Sequence, residues 1–112
     1  LSSDLAGTRW LVQLVDGRPA QARQASVEFA AEDRISGTGG CNRFFGHYEA
    51  ADGAIDVRAL GRTEMACDTP VMTQENEILA VLEDAEHYDR RGDRLVIRAE
   101  DGRNLVLTPV AS

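Results

Sequence analysis

Two stretches decide how this chain folds: Gly37-Thr38-Gly39-Gly40-Cys41-Asn42-Arg43-Phe44-Phe45-Gly46-His47-Tyr48 and Thr63-Glu64-Met65-Ala66-Cys67-Asp68-Thr69-Pro70. They hold both cysteines of the chain, Cys41 ahead of a β-type run and Cys67 ahead of a helical one. An even count in a small domain fits one disulfide formed in an oxidising compartment, and it fits two buried thiols as well. A bridge across a loop of this length would restrict the unfolded chain by roughly 3 kcal/mol on the loop-entropy model. The glycines 37, 39 and 40 permit a sharp bend and close approach of another backbone. They do not make a phosphate cradle, because no Lys-Ser/Thr ending follows and a strand rather than a helix comes next. Asn42 is read as satisfying backbone groups in that bend.

Outward from these stretches the pattern has period two. Trp10, Val12 and Leu14 alternate with Leu11, Gln13 and Val15; Val27 and Phe29 alternate with Ser26 and Glu28; Ile55 and Val57 alternate with Asp56 and Arg58. Leu95 and Ile97 form a further strand, and Leu105 and Leu107 another. Asp16-Gly17, Asp52-Gly53, Gly92-Asp93 and Asp101-Gly102 read as turns, the last as a two-residue hairpin between Leu95–Glu100 and Arg103–Thr108. Residues 17–25 read as a long loop. From Pro70 to Ala85 the period changes: Val71, Met72, Ile78, Leu79, Val81, Leu82 and Ala85 recur at helical spacing, with Gln74, Glu77 and Glu83 on the opposite face. Asp68 or Thr69 is placed to cap this helix, and Pro70 suits its first turn. The acidic Glu83-Asp84 end is unfavourable for the helix dipole. The expectation is an α+β fold: one domain over residues 1–112, a curled antiparallel sheet of about seven or eight strands forming a partly closed barrel on one helix over approximately residues 70–84.

Composition excludes several functions. The net charge of −7 and a pI near 4.7 repel phosphates, and no basic run carries interleaved aromatics, so nucleic acid and anionic membrane surfaces are poor partners. All of the basic residues are Arg, which removes lysine nucleophile chemistry. No apolar run reaches the roughly 18 residues that cross a bilayer. The opening Leu1-Ser2-Ser3-Asp4 has neither a basic start nor an apolar run, so no signal peptide is read in it.

With the elements placed, the motifs become recognisable. Trp10-Leu11-Val12, then Gly37…Gly40-Cys41-Asn42-Arg43-Phe44…Gly46…Tyr48, then Thr63-Glu64-Met65-Ala66-Cys67, then an amphipathic helix, closely resemble the META domain, the family of the HslJ-type heat-shock proteins of bacterial envelopes. The resemblance runs from about Thr8 to Pro109. It implies a compact antiparallel sheet curled around a helix, an envelope or secreted location, often as a lipoprotein, and a tie to stress tolerance, antibiotic resistance or virulence without a catalytic reaction. Cys41 and Cys67 match the family's cysteine positions, so the resemblance implies that they pair. Gly37, Gly40, Asn42, Phe44, Gly46, Tyr48, Thr63 and Met65 are then motif residues of a structural kind.

Candidate chemistry is sparse. Cys41 as nucleophile with His47 as base fails on a regular strand, where the two face one side but lie about 20 Å apart. Cys67 before a helix N-terminus has the setting of a low-pKa thiol, opposed by Asp68 and lacking a CxxC partner. His47, His87 and the cysteines show no close ligand pair for zinc, and the acids form no calcium loop, so no metal or cofactor is expected. Phe44 and Tyr48 share a core-facing side, while Phe45 takes the other side with Arg43 and His47 and forms a candidate recognition patch. The function expected is a non-enzymatic, monomeric accessory domain that binds a protein or envelope component. The alternative is a lipocalin-like carrier of a small apolar ligand.

Overall fold

The computed structural model describes residues 5–20 and 23–110. Along the chain run β1 (Thr8–Val15), β2 (Arg18–Pro19), β3 (Ser26–Ala30), β4 (Arg34–Thr38), β5 (Arg43–Ala51), β6 (Ala54–Arg62), α1 (Thr69–Glu83), β7 (Ala85–Arg91), β8 (Arg94–Ala99) and β9 (Asn104–Pro109). All strand pairs are antiparallel, in the order β2-β1-β3-β4-β5-β6-β7-β8-β9. Because β1 also pairs with β9, from Trp10 opposite Pro109 to Val15 opposite Leu105, eight strands close into a barrel and β2 is one extra. The α+β reading holds, and the barrel is closed rather than partly closed.

Alternation along the strands fills the barrel. Trp10, Val27, Phe29, Ile35, Phe44, Tyr48, Ile55, Val57, Leu95, Ile97, Leu105 and Leu107 all point inward and are buried. Phe29 and Tyr48 meet edge to face at 4.9 Å, a preferred aromatic geometry. Leu5 is buried in the same core, ahead of β1 at the end away from the helix. The interior is therefore a packed core, and an apolar carrier would need that space.

Three details depart from the strand reading. A bulge between Val12 and Leu14 shifts the alternation of β1, so Val15 rather than Leu14 is buried. The β8–β9 connection is not a two-residue turn: Ala99 N–H donates to Arg103 O at 2.8 Å and Gly102 N–H to Ala99 O at 3.0 Å, leaving three residues in the loop. Residues 17–25 are not all loop, since β2 pairs with the end of β1 across a turn with positive φ at both Asp16 and Gly17. In addition, β4 and β7 are strands that the alternation did not announce.

The helix begins and ends one residue earlier than expected. Asp68 occupies the N-cap position without a side-chain cap bond, and Pro70 lies in the first turn. Val71, Ile78, Leu79, Val81 and Leu82 are buried against the barrel, and Gln74 is buried with them rather than facing solvent. The acidic end has a physical explanation. Arg103, on the β8–β9 hairpin, donates to Asp84 at 2.8 Å and to Asp101 at 2.7 Å, placing a cation beside the last turn. The same contact holds the Asp101 carboxyl below its ordinary value.

Helix α1 lies where the sheet is weakest, because β6 and β7 share a single bridge, Ala54 with His87. At the other end of the helix segment, Cys41 and Cys67 are joined, with a sequence separation of 26 and Cα atoms 6.1 Å apart. The bridge ties the loop before β5 to the helix N-terminus. Thiol titration of the denatured, unreduced protein should find no free sulfhydryl. Reduction should lower unfolding stability by roughly 3 kcal/mol in denaturant titration; two titratable thiols before reduction would contradict the bridge.

Candidate functional site

The two cysteine motifs converge on one helical side chain. Glu75 is fully buried, at 0% exposure. Its Oε1 accepts the backbone N–H of Asn42 at 2.6 Å and of Cys41 at 3.3 Å. Its Oε2 accepts from the Asn42 side-chain amide at 2.8 Å and from Arg62 at 3.2 Å, the last an ion pair with a side chain still one-third exposed. A buried charge is tolerable only when paired and hydrogen-bonded, and this one is both.

Asn42, 1% exposed, is the second hub. Its Oδ1 accepts from Met65 N–H at 2.6 Å and from the Thr63 hydroxyl at 3.0 Å. Its Nδ2 donates to Met65 O at 3.2 Å as well as to Glu75, so all four side-chain hydrogen bonds of the amide are made. Gln74 donates from Nε2 to Arg23 O at 2.7 Å and Gly39 O at 3.1 Å. Gly39 is required by this approach, since a Cβ there would lie 2.4 Å from Glu75 Cγ. Gly40 adopts φ 115°, which a side chain disfavours. Gly37 and Gly46 lie within β4 and β5, opposite Phe44 and Ile35.

Sequence reading placed Asn42 in the bend but missed Glu75. A signal was present: 75 is four after Val71, three before Ile78 and seven before Leu82, so a carboxylate stands in the middle of the apolar stripe. An acid at such a position requires partners, and the helix has none to spare within itself.

The remaining candidates are dispersed. Cys41 and Cys67 are bonded to each other, so neither is a free thiol or a metal ligand. His47 stands on the outer face of β5 between Arg34 and Arg58, and His87 lies in β7 beside Glu86. Among the described residues no group of three or more His, Cys, Asp or Glu side chains is placed to hold a metal.

Arg43, Phe45 and His47 do share the outer face of β5. Phe45 is 53% exposed, opposite Ser36 on β4 and Gly61 on β6. Its ring lies over Gly61, where a Cβ would come within 3.1 Å. Arg58 is engaged by Glu49 at 2.6 Å and Asp56 at 3.3 Å, whereas Arg34 and Arg43 form no ion pair among the described residues. Met65, 55% exposed, is a second uncovered apolar side chain, held by its backbone to Asn42.

Replacing Asn42 by Asp keeps the shape but turns the donor facing Glu75 into a second carboxylate oxygen. We expect a loss of about 3 kcal/mol or more in denaturant titration for Asn42→Asp and for Glu75→Ala, against a change within about 0.5 kcal/mol for an exposed substitution such as Glu83→Ala. Equal, small losses would remove the buried network from the account of stability.

Comparison with known proteins places the chain. Three solved structures share its fold. A protein solved by NMR matches with a TM-score of 0.77 and 23% identity over 96% of this chain and 95% of that one. A protein from Burkholderia xenovorans, also solved by NMR, matches with a TM-score of 0.76 and 22% identity over 96% and 85%. The crystal structure of a duf4847 family protein from Bacteroides vulgatus matches with a TM-score of 0.67 and 16% identity over 95% and 94%. At these identities the likeness speaks for the fold alone. No curated protein matches. The family model of the META domain matches residues 3–112. With that match spanning nearly the whole length, the chain belongs to the META domain family.

Proposed function

We propose that this chain is a non-enzymatic, monomeric accessory domain of the cell envelope or of the secreted space, serving stress tolerance by binding a protein or envelope component through the outer face of β5. The observation that carries the reading is Phe45, a large apolar ring left half exposed between Arg43 and His47 on the outer face of β5. Aromatic and arginine side chains are enriched at binding surfaces because they combine apolar area with directed hydrogen bonding. Here they ride on a strand paired on both sides, so the face is rigid and little ordering entropy is lost on docking. The disulfide supports the location, since such bridges persist in oxidising compartments. The carrier alternative draws less support, because side chains occupy the barrel interior.

The test uses Phe45→Ala and Arg43→Ala in crosslinking capture from envelope extract of the source organism. Wild-type protein should enrich a component that both variants lose. Stability should fall by no more than about 1 kcal/mol, the scale of one cross-strand pair. Capture of the same components by all three proteins, or a large fall in melting temperature on losing Phe45, overturns the reading.

A further inference from the structure

At the barrel end away from the helix, the long β5–β6 hairpin and the β3–β4 turn enclose a cleft of about 660 Å³. None of Arg43, Phe45 and His47 lines it. Six alanines line it, Ala30, Ala50 and Ala54 among them, and no arginine does, although the chain has twelve. Its rim carries Glu32, Asp33, Glu49 and Asp56. Glu49 and Asp56 are already paired with Arg58, whereas Glu32 and Asp33 form no ion pair among the described residues.

The floor supplies a second observation. Tyr48 borders the cleft and is only 3% exposed. Its ring is fixed against Phe29, yet its hydroxyl makes no hydrogen bond among the described residues. Among those residues no sealed side-chain oxygen lacks a partner, so this hydroxyl reaches solvent, and the cleft is the space its inward ring borders. The interior thus holds an aromatic whose polar end is left for something outside the chain.

We infer that this cleft binds a basic segment of a partner protein, taking up an Arg or Lys side chain. The methylene stem lies along the alanine methyls, as such stems do on apolar surface. The cationic head donates to the Glu32 and Asp33 carboxylates and to the Tyr48 oxygen, charge-assisted bonds that are stronger than neutral ones. Charge complementarity selects the partner: Glu32 and Asp33 form no ion pair among the described residues and no cation lines the cleft, on a chain of net charge −7. The volume falls within the range of sites for small ligands, enough for a side chain and its neighbours.

The test is ¹⁵N NMR and calorimetric titration of the intact protein with acetyl-Ala-Arg-Ala-Arg-Ala-amide. The controls are the same peptide with Glu for Arg, spermidine and calcium chloride. The Arg peptide should shift amides of residues 30–33 and 48–56, with affinity falling as salt rises. Glu32→Gln with Asp33→Asn should weaken binding about tenfold. Tyr48→Phe should weaken it about threefold with an unchanged melting temperature, since the lost hydroxyl has no partner in the fold. Binding of the Glu peptide as tight as the Arg peptide, shifts confined to other residues, or full affinity in both variants overturns the inference. Tighter binding of spermidine or calcium than of the Arg peptide overturns the basic segment as occupant. None of these outcomes touches Phe45, so failure here and failure of the outer-face reading are told apart.

Discussion

Helix α1 and the barrel are latched by a carboxylate sealed from the surface. Glu75 reaches from the helix into the bend before β5 and takes two consecutive backbone N–H groups, an amide and a guanidinium. Losing the carboxylate would be costly, because the buried Asn42 N–H would be left without its acceptor. The disulfide one step away acts differently. It limits how far the bend and the helix start can separate in the unfolded chain, while Glu75 and Asn42 fix how they meet in the folded one. Two devices of unlike physics thus secure one junction.

The junction matters because the sheet is incomplete beside it. With only Ala54 and His87 joining β6 to β7, the barrel relies on the helix to cover the gap between those strands. Burial of Ile78, Leu79, Val81 and Leu82 supplies that cover, and the latch fixes where the helix starts. The latch also holds the start of β5, the strand whose outer face carries Phe45.

Much of this was legible in the chain. Period-two runs and the switch to helical spacing gave the α+β class, and the inward positions of Phe44 and Tyr48 followed from alternation alone. The cysteine motifs led to the family, and the pairing it implies is present. What resisted reading was tertiary. The bulge in β1 moved burial from Leu14 to Val15, and no local signal marks a bulge. Strand β4, Arg34–Thr38, has one buried large side chain, Ile35, so its alternation is too faint to register. Gln74 and Glu75 look like surface residues by type; the position of Glu75 in the apolar stripe hints at burial, but its partners across the fold are not readable from the helix.

Closure through β1 and β9 carries a consequence for how the molecule assembles. Trp10 faces Pro109, so the last seam joins positions almost a full chain length apart. Such pairing must await nearly everything between, and loop-closure entropy makes it slow. The hairpins from β3 to β6 are local by comparison and have no such delay. Until the first and last strands meet, their edges lie open, and a nascent chain is most prone to self-association during that interval.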